Sequence, residues 1–137
     1  MQQGLNRVYQ KYIVNLPVKL IKGKTYDVVK NSHAALVCSG TATLETALLN
    51  CPQVVCYKFS NISYEIGKRV IKVKYISLVN LILNKLAIPE LIQHELNEIN
   101  IKRELDLILG GKNREDQLTN YTELTEIVGK AGASVRT

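Results

Sequence analysis

Two apolar runs, AALVC at 34–38 and QVVCYKF at 53–59, flank the stretch TATLETALLN at 41–50. Their apolar residues stand at successive positions instead of every second one, the mark of strands buried on both faces. The intervening stretch puts Leu44, Ala47 and Leu48 on one helical face and is stopped by Pro52. A helix between two such strands carries the chain back to the same end of a sheet, so the strands lie parallel. This βαβ unit is the strongest constraint in the chain.

The alternation continues on both sides. Residues 3–12 suit a short helix with Leu5, Val8 and Tyr9 on one side, and PVKLIKG (17–23) suits a short strand ending at Gly23. TYDVVKNS reads as a helix capped by Thr25, with Asp27 in its first turn where a negative charge suits the helix dipole. Residues 61–73 fit a helix capped by Asn61 or Ser63, while KYISLVNLIL (74–83) starts as a strand and loses its regularity. Asn97 caps a helix with Ile99, Ile101, Leu105, Ile108 and Leu109 as its apolar set, closed by Gly110-Gly111. A last helix runs from about Arg114 to Val128 and ends at Gly129, leaving GASVRT as the first turn of a further element. Strands and helices alternating about every 15 to 20 residues predict one α/β domain over 1–137, a doubly wound parallel sheet, expected to be incomplete at both ends.

Composition narrows the partners. Hydrophobic residues make up 46% and charged residues 22%, a globular balance. A formal charge of +6 points to an anionic partner: a nucleotide, a nucleic acid or a lipid surface. Nucleic acid is set aside, because the seven tyrosines are scattered and no RNP, KH or helix-turn-helix pattern is present. Cys38, Cys51 and Cys56 match no zinc spacing and sit in or beside apolar runs, so they read as reduced core thiols of a cytosolic protein. The two histidines, His33 and His94, lie far apart without a ligand cluster, and no metal is expected. No apolar run reaches the ~20 residues that span a bilayer, and the N-terminus has no signal-peptide core.

The densest chemistry lies between the two strands. Ser39, Gly40, Thr41 and Thr43 gather at one strand-to-helix junction, the edge of a doubly wound sheet where ligands bind. Backbone N–H groups and the positive end of the helix dipole make an anion site there, and Gly40 lets the backbone approach a phosphate. The hydroxyls of Ser39, Thr41 and Thr43 add donors. Glu45 lies about 9 Å beyond Ser39 along the helix at ~1.5 Å per residue, near the span from a diphosphate to a ribose. The other reading is an ordinary N-cap with an exposed glutamate in the second turn.

The stretches SGTATLETALLNCPQVVCYK, KRVIKVKYISLVNLI and PELIQHE resemble lipid-A-disaccharide synthases from about Gly23 onward. That family comprises bacterial glycosyltransferases with two Rossmann-like domains, the GT-B arrangement. The likeness is to the C-terminal, nucleotide-sugar-binding half. It implies transfer of 2,3-diacylglucosamine from UDP-2,3-diacylglucosamine to 2,3-diacylglucosamine 1-phosphate, on the cytoplasmic face of the inner membrane in lipid A biosynthesis, without a cofactor. Ser39, Gly40, Thr41 and Thr43 would line the donor diphosphate and Glu45 the ribose. Asn80 matches the family's Ser-Leu-Pro-Asn motif, and Glu90 and Gln93 its Glu-Leu-Leu-Gln motif. Val79 stands where the family usually has Pro, and Ile92 where it has Leu. The general base is expected in an N-terminal acceptor domain that this chain lacks, so the chain alone should be inactive.

Lys68, Arg69 and Lys72, interleaved with Ile66, Val70, Ile71 and Val73, fit a basic segment on an anionic membrane surface, or else a solvated helix face. A homodimer is compatible with the sequence. The alternatives from other classes are a domain of another UDP-sugar enzyme (GT-B transferase or epimerase) and a non-catalytic scaffold fragment.

Overall fold

A computed structural model describes residues 2–38, 40–58 and 74–136. The elements run α1 (Gln2–Ile13), α2 (Thr25–Lys30), β1 (Ala35–Val37), α3 (Gly40–Leu48), β2 (Gln53–Tyr57), α4 (Leu78–Leu83), β3 (Glu90–Ile92), α5 (Glu98–Ile108) and α6 (Lys112–Arg136), with a 3-10 turn at Gln93–Glu95.

Among the described residues the sheet has three strands in the order β1-β2-β3, all parallel. Val37 pairs with Val55 and Val55 with Glu90, so these three residues form one row and turn to one face. That face carries α3, α4 and α6: Val55 packs with Ala47, Val79, Leu83, Tyr121 and Leu124. The opposite face carries α5, where Val54, Cys56 and Leu91 meet Ile108, with Ile101 and Leu105 alongside. Helices on both faces of a parallel sheet give the α/β, Rossmann-like architecture the alternation predicts.

The core is bolted by polar groups as well as by aliphatic side chains. Gln53 is buried and joins three elements: its N–H donates to Gln117 Oε1 (2.9 Å), its Nε2 donates to the Thr43 carbonyl (3.0 Å), and Gln117 Nε2 donates to its carbonyl (3.0 Å). The Tyr121 hydroxyl donates to Gln117 Oε1 at 2.8 Å, and burial pushes its phenol far above the ordinary tyrosine range. At the same amino end of the strands, Arg114 donates to the carbonyls of His33 (2.6 Å) and Ile108 (3.2 Å), tying the start of α6 to the approach to β1 and to the end of α5.

Several local readings need correction. Residues 17–22 form no strand, and Val18, Leu20 and Ile21 are exposed, because no strand pairs with the outer edge of β1 among the described residues. Thr25 opens α2 but is not its cap; that position is Lys24, without a side-chain cap bond. Residues 78–83 are helical, since Ser77 Oγ accepts from Asn80 N–H (3.2 Å) and starts a helix that left-handed Asn84 ends. Helix α6 passes through Gly129 and Gly132, each a cost of about 1 kcal/mol that a long, otherwise regular helix absorbs. Asn97 does cap α5, accepting from Asn100 N–H at 2.9 Å, but Ile99 is 79% exposed and outside its apolar face. Cys51 and Cys56 are buried, whereas Cys38 is exposed, one residue beyond the end of β1. The helix expected over 61–73 lies outside the described residues.

Candidate functional site

Two helices begin side by side at the carboxyl end of β1. Helix α3 starts at Gly40, and no acidic residue stands in its first turn. The first-turn N–H groups of a helix have no acceptor within it and carry a partial positive charge. A helix start of this kind suits an anion.

The segment entering α4 is held by one of the chain's own carboxylates. Glu90 accepts from Ile76 N–H (2.9 Å to Oε1), from Ser77 N–H (2.9 Å to Oε2) and from Asn80 Nδ2 (2.9 Å to Oε2). Strand register brings it there, because Glu90 shares the row of Val37 and Val55 and so faces the α4 side of the sheet. A carboxylate holding two backbone N–H groups and a side-chain amide fixes the segment entering α4.

Asn80 completes that arrangement from within. It is fully buried, and its Nδ2 donates to the Ile88 carbonyl (2.8 Å) as well as to Glu90. Its Oδ1 accepts from Ala87 N–H (2.8 Å) and Ile88 N–H (3.0 Å). Both amide hydrogens and both lone pairs are in use. Asn80 thus shapes the loop from α4 to β3 and braces Glu90.

The two helix starts touch at Gly40. A Cβ built there would stand 3.2 Å from the Ile76 carbonyl oxygen, closer than side chains ordinarily come to backbone. Glu90 holds Ile76 by its N–H, and the Ile76 carbonyl meets Gly40, so β3 sets the position of the α3 start through a rigid relay. Only glycine leaves this approach undistorted.

The remaining residues separate by exposure. Thr41 faces solvent in the first turn of α3, whereas Thr43 is buried and its hydroxyl donates to the Gly40 carbonyl at 2.5 Å. Glu45 is exposed on the same helix and borders a groove of about 390 Å³ with Thr25, Tyr26, Val29, Leu48 and Leu49. Gln93 follows β3 in left-handed conformation (φ 55°), half-buried at the carboxyl end of the sheet. The structure thus places Gly40 and Thr41 in the first turn of α3 and Glu45 in its second, and turns Thr43 and Asn80 inward. Ser39, Lys68, Arg69 and Lys72 lie outside the described residues.

Sequence reasoning missed Ile76 and Ser77, the two residues through which Glu90 acts. Ser77 had a legible signal, a hydroxyl residue opening an apolar helical segment. Ile76 acts through its backbone and left none.

The chain matches the family of lipid-A-disaccharide synthetases over residues 1–134. It is 46% identical over 120 residues to the lipid-A-disaccharide synthase of Syntrophus aciditrophicus, covering 87% of this chain and 31% of that protein. It is 36% identical over 130 residues to the enzyme of Solibacter usitatus, covering 93% of this chain and 34% of the relative. With the enzyme of Haemophilus ducreyi the identity is 37% over 131 residues, 92% of this chain and 34% of the relative. The chain spans about a third of the length of these relatives. It belongs to the lipid-A-disaccharide synthetase family, glycosyltransferases of lipid A biosynthesis.

Proposed function

We propose that this chain is the donor-binding portion of a lipid-A-disaccharide synthase. The intact enzyme would transfer 2,3-diacylglucosamine from its UDP-linked donor to 2,3-diacylglucosamine 1-phosphate, releasing UDP. The single observation that carries this reading is a contrast between neighbouring segments. Glu90 holds the two N–H groups just before α4, whereas α3 begins at a glycine with no acidic residue in its first turn.

The chemistry follows from that contrast. As the anomeric carbon parts from the diphosphate, negative charge grows on the leaving phosphate oxygens. In this reading the N–H groups at the start of α3 and the exposed Thr41 hydroxyl donate to those oxygens. Donors fixed in advance favour the charged transition state over the ground state. The relay from Glu90 through Ile76 to Gly40 supplies the fixing. Glu45, further along the same exposed face, accepts hydrogen bonds from the ribose hydroxyls. Asn80, Glu90 and the Thr43 hydroxyl act as positioning groups behind these contacts.

Titration calorimetry with UDP tests the reading. Glu45→Ala should weaken binding about 10- to 100-fold, the worth of a hydrogen bond to a charged acceptor, and leave the fold intact. Unchanged affinity in that variant, or no binding by the folded chain, removes the proposal.

A further inference from the structure

The sheet register places two cysteines side by side at the mouth of the site. Val37 is the last residue of β1 paired with β2, opposite Val55, so the next positions are Cys38 and Cys56. Adjacent strands lie about 4.8 Å apart, within the ~4.4–6.8 Å between Cα atoms that a disulfide bridges. Alternation puts Cys56 on the α5 face, where it packs with Val54 and Leu91, and the same register carried one residue past the end of β1 sets Cys38 beside it. Their environments differ. Cys38 is exposed and open to oxidants, while Cys56 is 6% exposed.

We infer that Cys38 and Cys56 form a reversible, oxidation-driven disulfide that weakens nucleotide binding at the start of α3. The Cys38 thiolate attacks a peroxide oxygen, the O–O bond breaks, and Cys38 sulfenic acid and hydroxide result. The Cys56 sulfur then attacks the sulfenic sulfur; the S–O bond breaks, the S–S bond forms, and the thiol proton leaves with the hydroxide as water. Two thiols and one peroxide thus give one disulfide and two waters. A dithiol reverses the change by exchange.

The difference between the two sulfurs suits this order. Burial, reinforced by the nearby Cys38 charge, pushes the Cys56 thiol up, so it stays protonated while exposed Cys38 meets the oxidant first. The consequence for binding rests on the donor-site reading above. Cys38 lies two residues before Gly40, whose backbone already stands against the Ile76 carbonyl. Drawing Cys38 toward β2 pulls on that start, which is packed against the Ile76 carbonyl.

The experiment treats the chain with hydrogen peroxide, maps disulfides by mass spectrometry, and measures UDP affinity before and after, with and without dithiothreitol. A Cys38–Cys56 peptide is expected, absent in Cys38→Ser, together with a UDP affinity about 10-fold weaker that returns on reduction. Sulfinic acid at Cys38 without the disulfide, or a Cys38–Cys38 dimer as the main product, overturns the pairing. A disulfide that leaves UDP affinity unchanged overturns the switch. If the reduced chain binds no UDP, the donor-site reading and the switch built on it both fall, and the mass map alone decides the pairing. Because Cys38 is exposed, Cys38→Ser should fold; a Cys56→Ser variant that also folds serves as the second control.

Discussion

Asn80 Nδ2 donates to Glu90 Oε2 at 2.9 Å, and this one contact couples the loop before β3 to the start of α4. Neither group is a free surface residue: the amide has no other vacancy, and the carboxylate holds two backbone N–H groups besides. Residues matching two separate family motifs therefore work as one unit beside the start of α3.

Asn80→Asp should be among the most disruptive isosteric changes in the chain. It puts a carboxylate oxygen against Glu90 Oε2 and the Ile88 carbonyl, where two donated hydrogens stood. A loss of about 3–5 kcal/mol is expected, as for an uncompensated buried charge. Urea unfolding followed by circular dichroism measures it; a loss under about 1 kcal/mol, the scale of an ordinary neutral hydrogen bond, would contradict the geometry.

Gly40→Ala tests the relay more gently. Alanine favours helix, but its Cβ would stand 3.2 Å from an Ile76 carbonyl whose own N–H Glu90 holds in place. The clash should cancel the helix gain of about 1 kcal/mol, leaving stability near wild type, while displacement of the α3 start lowers UDP affinity about 10-fold, roughly 1.4 kcal/mol. Calorimetry beside thermal unfolding separates the two. Wild-type affinity with raised stability would show that the segment yields freely.

Tyr121 makes stability depend on alkaline pH. Its folded pKa is raised, so the folded chain keeps the phenol proton after the unfolded chain has begun to release it. The resulting stability is complete below the unfolded value of about 10 and is lost as pH rises through and above it, at up to about 1.4 kcal/mol per pH unit. Tyr121→Phe should cost about 1 kcal/mol at pH 7, for the hydrogen bond to Gln117, and should flatten the decline above pH 10. An identical slope in wild type and variant would assign the decline to other groups.

Arg114→Ala should loosen the opposite end of the strands. It removes donors from the His33 and Ile108 carbonyls, at about 1.5–3 kcal/mol for hydrogen bonds from a charged group. Hydrogen exchange should rise at the start of β1 and the end of α5 while the first turn of α3 is unaffected. Faster exchange at α3 as well would mean that the two ends of the sheet are not independent.

Much of this fold was legible in order of residues alone. The runs around 34–38 and 53–59 and the helix between them appear as β1, α3 and β2, because full burial demands apolar side chains at successive strand positions. Asn97 was legible as a cap because its side chain bonds within three residues. The failures came where the partner is distant or not among the described residues: PVKLIKG has the composition of a strand but no strand among the described residues pairs with it, and LVNLIL reads either way until Ser77 caps it.

The candidate site divides along the same line. Sequence by itself determined the glycine at the strand-to-helix junction and the carboxylate at position 45, since both depend on spacing within one segment. Only the tertiary structure decided that Glu90 turns to the α4 side, that Asn80 is sealed inside, and that Ile76 stands against Gly40. Those facts follow from sheet register and from which face each helix covers. Both are set by packing between residues far apart in the chain, which no local pattern records.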